Sequence, residues 1–174
     1  MANGSVLDRA DQACADRIPF ADAPADEQAV DVLSELLEHA RDGEYGFRTC
    51  ARELPSASSL RQPFNRRASQ YHEACDDLER MIRRHGGSPI ECGTTEAIIH
   101  RGWVRVKGAI GANSELSLLE DCERGEEAVV ALYREAMQRN LPSDVRDLIE
   151  RQAASAQQSH DRLRALRGET HPRA

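Results

Sequence analysis

The chain has 174 residues, the size of one ordinary domain, and can bury a core without disulfides or metal to hold it. Apolar residues make up 40%, aromatics 4% and charged residues 30%, a balance that favours helices with Leu, Ala and Val stripes inside and charge outside. The formal net charge of -7 argues against a nucleic-acid partner, and the absence of any apolar run of spanning length argues against a membrane one.

Five cysteines, Cys14, Cys50, Cys75, Cys92 and Cys122, show no paired metal-ligand spacing and are odd in number, which fits reduced thiols better than a disulfide scaffold. With no basic start and apolar stretch at the N-terminus, a soluble cytoplasmic protein is expected. The Arg66-Arg67 and Arg83-Arg84 pairs read as solvated helix faces.

Residues 1–25 are Ala- and Asp-rich and broken by Pro19 and Pro24, so they read as an acidic leader outside the fold. From Asp26 a three-four rhythm begins: Val30, Leu33, Leu37, Ala40, Glu44, Phe47, Ala51 and Leu54 share one helix face, and Pro55 ends it. A second helix carries Leu60, Phe64, Ala68, Tyr71, Cys75, Leu78 and Ile82 inward, tolerates Pro63 near its first turn, and closes at Gly86-Gly87. The short turn between them predicts antiparallel neighbours.

A third helix is predicted from about Asn113 to Arg139, with Leu116, Leu119, Glu123, Glu126, Val130, Tyr133 and Met137 inward. After Asn140-Leu141-Pro142, Ser143 is a suitable N-cap for a fourth helix. That helix turns Val145, Ile149, Gln152, Ala156, Ser159, Leu163 and Leu166 inward and stops before Gly168, which makes residues 169–174 a tail. Between the two hairpins, residues 87–112 are long enough to travel the height of a bundle, with Trp103 pinning that crossover by packing. The reading is an all-α, antiparallel four-helix bundle over residues 26–168, with one long crossover between helices two and three.

Glu44, Glu123, Glu126 and Gln152 occupy stripe positions where carbon is expected, and a buried carboxylate needs a partner, a shifted pKa or a metal. Counted at 1.5 Å per residue from the first turn, Glu44, Glu123, Glu126, His160, Tyr71 and His72 fall within roughly 9 Å of one height, and Gln152 lies deeper. Gly43 and Gly125 sit beside these acids, which implies either close helix approach or room for a ligand.

The strings Asp42-Gly43-Glu44-Tyr45-Gly46-Phe47, His100-Arg101-Gly102-Trp103 and Glu120 through Glu127 together resemble a bacterial family of ferritin-like four-helix-bundle proteins of uncharacterised function. Leu141-Pro142, Val145-Arg146 and His160-Asp161-Arg162 extend the resemblance to residues 28–168. A ferritin-like fold implies a search for a di-iron site, one Glu on each of two helices and Glu-x-x-His on each of the others. Glu44 and Glu123 or Glu126 supply the first pair, but the remaining motifs appear only as Ser69-x-x-His72 and Gln157-x-x-His160, so the bridging carboxylates are missing.

Two readings follow. In one, the acids pair with Arg48, Arg67 or Tyr71 in a register-fixing layer, and the chain is a scaffold or interaction protein, stress-linked as the resemblance implies. In the other, Glu44, Glu123, Glu126 and His160, with His72 and Gln157 nearby, hold one divalent ion: iron, manganese or zinc. No catalytic residue stands out, Cys122 reads as a small buried thiol, and a homodimer is the expected assembly.

Overall fold

The computed structural model describes residues 25–89 and 115–170, all helix and turn without a strand among them. The leader up to residue 24, the crossover with Trp103 and the His100–Trp103 string, and residues 171–174 lie outside the described residues. Among the described residues four helices follow in order: α1 (Ala25–Glu53), α2 (Arg61–Arg84), α3 (Glu115–Met137) and α4 (Ser143–Thr170).

The expected stripes of α1 and α2 are nearly all inside: Leu33, Leu37, Ala40, Phe47, Ala51 and Leu54 on the first, and Leu60, Phe64, Ala68, Tyr71, Cys75, Leu78 and Ile82 on the second. These two helices form the broadest packing face, α3 and α4 form the other hairpin, and α1 meets α3 while α2 meets α4 along narrower seams. At one end Ser58 Oγ donates to a Glu115 carboxylate oxygen, joining the first turn to the start of α3. At the opposite end His85 Nδ1 lies 2.9 Å from Asp26 Oδ1 and its Nε2 3.3 Å from Asp144 Oδ2, which gathers the start of α1, the finish of α2 and the start of α4. Helices α2 and α3 therefore run in the same direction.

The termini show local devices. Gly86, at φ 78°, takes the left-handed position after α2, with Gly86 N–H donating to Arg83 O and Gly87 N–H to Ile82 O at 2.9 Å, the Schellman pattern. Arg61 Nε donates to Ala51 O near the end of α1, and Arg146 donates to Met137 O and Arg139 O at the end of α3, so side chains satisfy orphan carbonyls. At α4, Arg146 N–H bonds Pro142 O, which makes Pro142 the capping residue and Ser143 the first helical one. This helix also passes through Gly168 to Thr170; a glycine weakens a helix but does not by itself end one.

The buried arc of α3 is turned from its expected line. Leu119, Glu126 and Tyr133 are inside as expected, but Leu118, Cys122 and Ala136 join them, while Leu116, Glu123, Val130 and Met137 are only half-buried. Cys122 meets Cys50 of α1, so the arc extends toward that helix as well as toward α4.

Phe47 meets Phe64 edge-on at 5.4 Å and stacks on Tyr71 at 6.0 Å, and the same Tyr71 ring lies against Gly43. A Cβ at Gly43 would sit 2.5–2.7 Å from three Tyr71 ring carbons, whereas one at Gly125 would meet nothing within 4 Å. Gly43→Ala should cost about 1–3 kcal/mol by forcing the ring or helix to shift. Gly125→Ala should stabilise by about 0.5–1 kcal/mol through helix propensity. Urea denaturation of both variants checks this, and equal effects would refute the close-approach account of Gly43.

Candidate functional site

Glu126 projects from α3 into the interior at 1% exposure, a position where an unpaired carboxylate would cost several kcal/mol. Two residues one turn apart on α2 answer it. Arg67 Nε donates to Oε1 at 2.9 Å and Nη2 to Oε2 at 2.7 Å, a bidentate fork, and Tyr71 OH donates to Oε1 at 2.8 Å. The i, i+4 spacing also lays the Arg67 guanidinium 4.0 Å from the Tyr71 ring centroid.

Burial opposes the charge on Arg67, but Tyr71 and Glu126 outweigh it and hold its pKa above the ordinary value. Burial, then the Glu126 carboxylate, pushes the Tyr71 phenol well above its usual range. Arg67 is thus charged and Tyr71 neutral, and both act as donors. Arg67 departs from the solvated face expected of its Arg66-Arg67 pair: Arg66 is exposed, and Arg67 is drawn inside by the carboxylate opposite.

The other expected ligands have separate partners. Glu44 is bridged by Arg48 at 2.7 Å and approached by His72 Nδ1 at 3.3 Å, near the rim. Glu123 Oε2 lies 3.1 Å from Arg167 Nη1, close enough for charge attraction but outside hydrogen-bond alignment. His160 Nδ1 and Gln157 Nε2 both turn to Asp161 Oδ1, at 3.3 and 2.9 Å. Deeper in the bundle, Gln152 Oε1 accepts from Tyr133 OH at 2.9 Å and its amide donates to Ala74 O, a separate polar bridge as its height implied.

Among the described residues no three His, Cys, Asp or Glu side chains are grouped to hold a metal ion. In this arrangement the expected four do not fit one divalent ion, because the Arg67 guanidinium faces both oxygens of Glu126 where a metal would bind.

Cys122 is buried against Cys50, and that contact together with burial raises its thiol well above the ordinary value, while burial pushes Cys75 up to about 12. Such thiols stay protonated at neutral pH and make poor nucleophiles or ligands. Between α1 and α3 a groove of about 220 Å³ is lined by Asp42, Gly43, Cys122, Gly125 and Val129. Asp42 Oδ1 is buried without a hydrogen-bond partner, and burial, opposed by His39, raises its carboxyl pKa. Pattern reading gave no warning of this residue, since its neighbour Glu44 holds the stripe position.

Glu126→Gln should cost about 3–5 kcal/mol by leaving Arg67 buried without its counter-charge, and Arg67→Met combined with Glu126→Leu should recover most of that loss. Denaturant titration of the single and double variants decides it, and a single variant as stable as the double would contradict the pairing. For Asp42, the folded state holds a proton that the unfolded chain releases above the ordinary value of 3.8. Its contribution is therefore present at low pH and is lost as pH rises through the raised value. Asp42→Asn should raise Tm by about 1–2 °C at pH 7 and have no effect near about pH 3, as thermal melts at both values would show.

No curated protein matches the chain. A family match, to a domain of unknown function (DUF2383), spans residues 28–140. It runs from the first turns of α1 to the end of α3, and so includes Arg67, Tyr71 and Glu126 while leaving α4 beyond its edge. With well over half of its length matched, the chain belongs to the DUF2383 family.

Proposed function

We propose that this chain is a ferritin-like bundle that works as a scaffold or interaction protein without chemistry of its own. One observation carries the reading: Glu126, the most deeply buried carboxylate among the expected ligands, is held by three hydrogen bonds from Arg67 and Tyr71. A carboxylate so committed ties helices together, and both of its oxygens are already occupied by donors where a metal would have to bind. The buried thiols held in their protonated form point the same way. Support for ferritin-like descent comes from parallel α2 and α3 and from the α1–α3 and α2–α4 seams, which suit two hairpins around one crossover.

The rival reading is a divalent ion on Glu44, Glu123, Glu126 and His160, which requires Arg67 to leave Glu126. The two separate on metal content. Untagged protein is reconstituted without oxygen with iron, manganese or zinc, desalted, and measured by elemental mass spectrometry beside a Glu44→Ala, Glu123→Ala variant confirmed as folded by circular dichroism. The scaffold reading expects no stoichiometric metal in either protein. About one equivalent retained by the wild type and lost in the variant would overturn it.

A further inference from the structure

A second cleft, of about 170 Å³, opens between α2 and α4, lined by Arg67 but not by its partner Glu126. Arg66, Arg67 and Arg162 all line it, and none of its lining residues is acidic. In a chain of net charge -7, three guanidiniums on one cleft are a local reversal of sign. Only Arg67 has a carboxylate partner; Arg66 and Arg162 have none among the described residues. Arg80, Arg83 and Arg124, by contrast, are paired with Asp77, Glu79 and Asp121 on their own helices.

Arg67 also has donor capacity left over. Its Nε and Nη2 serve Glu126, while Nη1 makes a long 3.4 Å bond to Gln70 Oε1, and Gln70 itself lines the cleft. The buried carboxylate thereby fixes the orientation of Arg67, so that its remaining nitrogen is presented without rotamer freedom to lose on binding. Leu163 and Leu166 form an apolar wall beside these donors. A planar or tetrahedral oxyanion suits the donors, and a short hydrocarbon or aromatic portion suits the wall.

We propose that this cleft binds a small amphipathic organic anion, with its phosphate or carboxylate head on Arg66, Arg162 and the outer nitrogen of Arg67 and its apolar part on Leu163 and Leu166. The site goes beyond the scaffold reading and does not rest on it, since its residues are separate from the disputed metal ligands.

The test uses the full chain and three probes, inorganic phosphate, phenyl phosphate and benzoate, followed by saturation-transfer NMR and calorimetry at low salt. An Arg66→Gln, Arg162→Gln double variant removes two exposed side chains that pack into no core. An Arg134→Gln, Arg164→Gln double variant makes the same charge change outside the cleft. Saturable binding of phenyl phosphate or benzoate, stronger than that of inorganic phosphate, is expected in the wild type and the control pair, with affinity falling about tenfold or more in the cleft variant. Which of the two aromatic probes binds better identifies the head group. The site is overturned if the wild type binds none of the probes, if the cleft variant binds as tightly as the wild type, or if both variants lose affinity equally, which is the signature of net charge alone.

Discussion

Arg67 and Glu126 face each other between α2 and α3, helices that belong to different hairpins, with Tyr71 completing the contact. Each charge is inside the protein, and each needs the other there. Sliding one hairpin against the other by a single helical turn, about 5.4 Å, would leave both unpaired in a medium that solvates neither. Apolar contacts tolerate many registers because Leu against Leu has little directional preference; a bidentate fork tolerates one. The seams between hairpins are narrow compared with the faces within them, so this contact is well placed to set how the halves dock.

Tyr71 connects that polar contact to the apolar core. Its hydroxyl serves Glu126, one ring face receives the Arg67 guanidinium, and the ring packs among Phe47 and Gly43. The missing side chain at Gly43 gives the ring its space, so a residue that weakens α1 locally makes the central contact possible. His85 performs a simpler joining role at one end of the bundle, where its two nitrogens face carboxylates from α1 and α4.

The interior offers little free reactivity. Glu126 is bound by the Arg67 fork, the Tyr71 phenol is held protonated, and the thiols of Cys75 and Cys122 are raised, the first by burial and the second by its Cys50 neighbour and burial. Uncommitted polar capacity lies nearer the surface: Asp42 in the α1–α3 groove, and the arginines of the α2–α4 cleft. This distribution suits a protein whose interior determines shape and whose outer clefts meet other molecules.

Among the described residues, the order of the four helices and most inward faces were legible in the sequence because helical periodicity and Pro and Gly punctuation are local signals, and α1 and α2 follow their stripes closely. Glu126 was legible too, as a carboxylate in a carbon position with Arg67 and Tyr71 among its candidate partners. What the pattern of one helix cannot encode is where its neighbours sit: Cys122 of α3 meets Cys50 of α1, and the buried arc takes in Leu118 and Cys122. Nor could local pattern distinguish Arg66 from Arg67, adjacent residues of the same type, or reveal that Asp42 would lose its solvent. Periodicity reports the face a residue occupies, whereas partners are set by side chains remote in sequence that meet only when the hairpins dock, and that meeting left Glu126 with Arg67 while Glu44, Glu123 and His160 went to other partners.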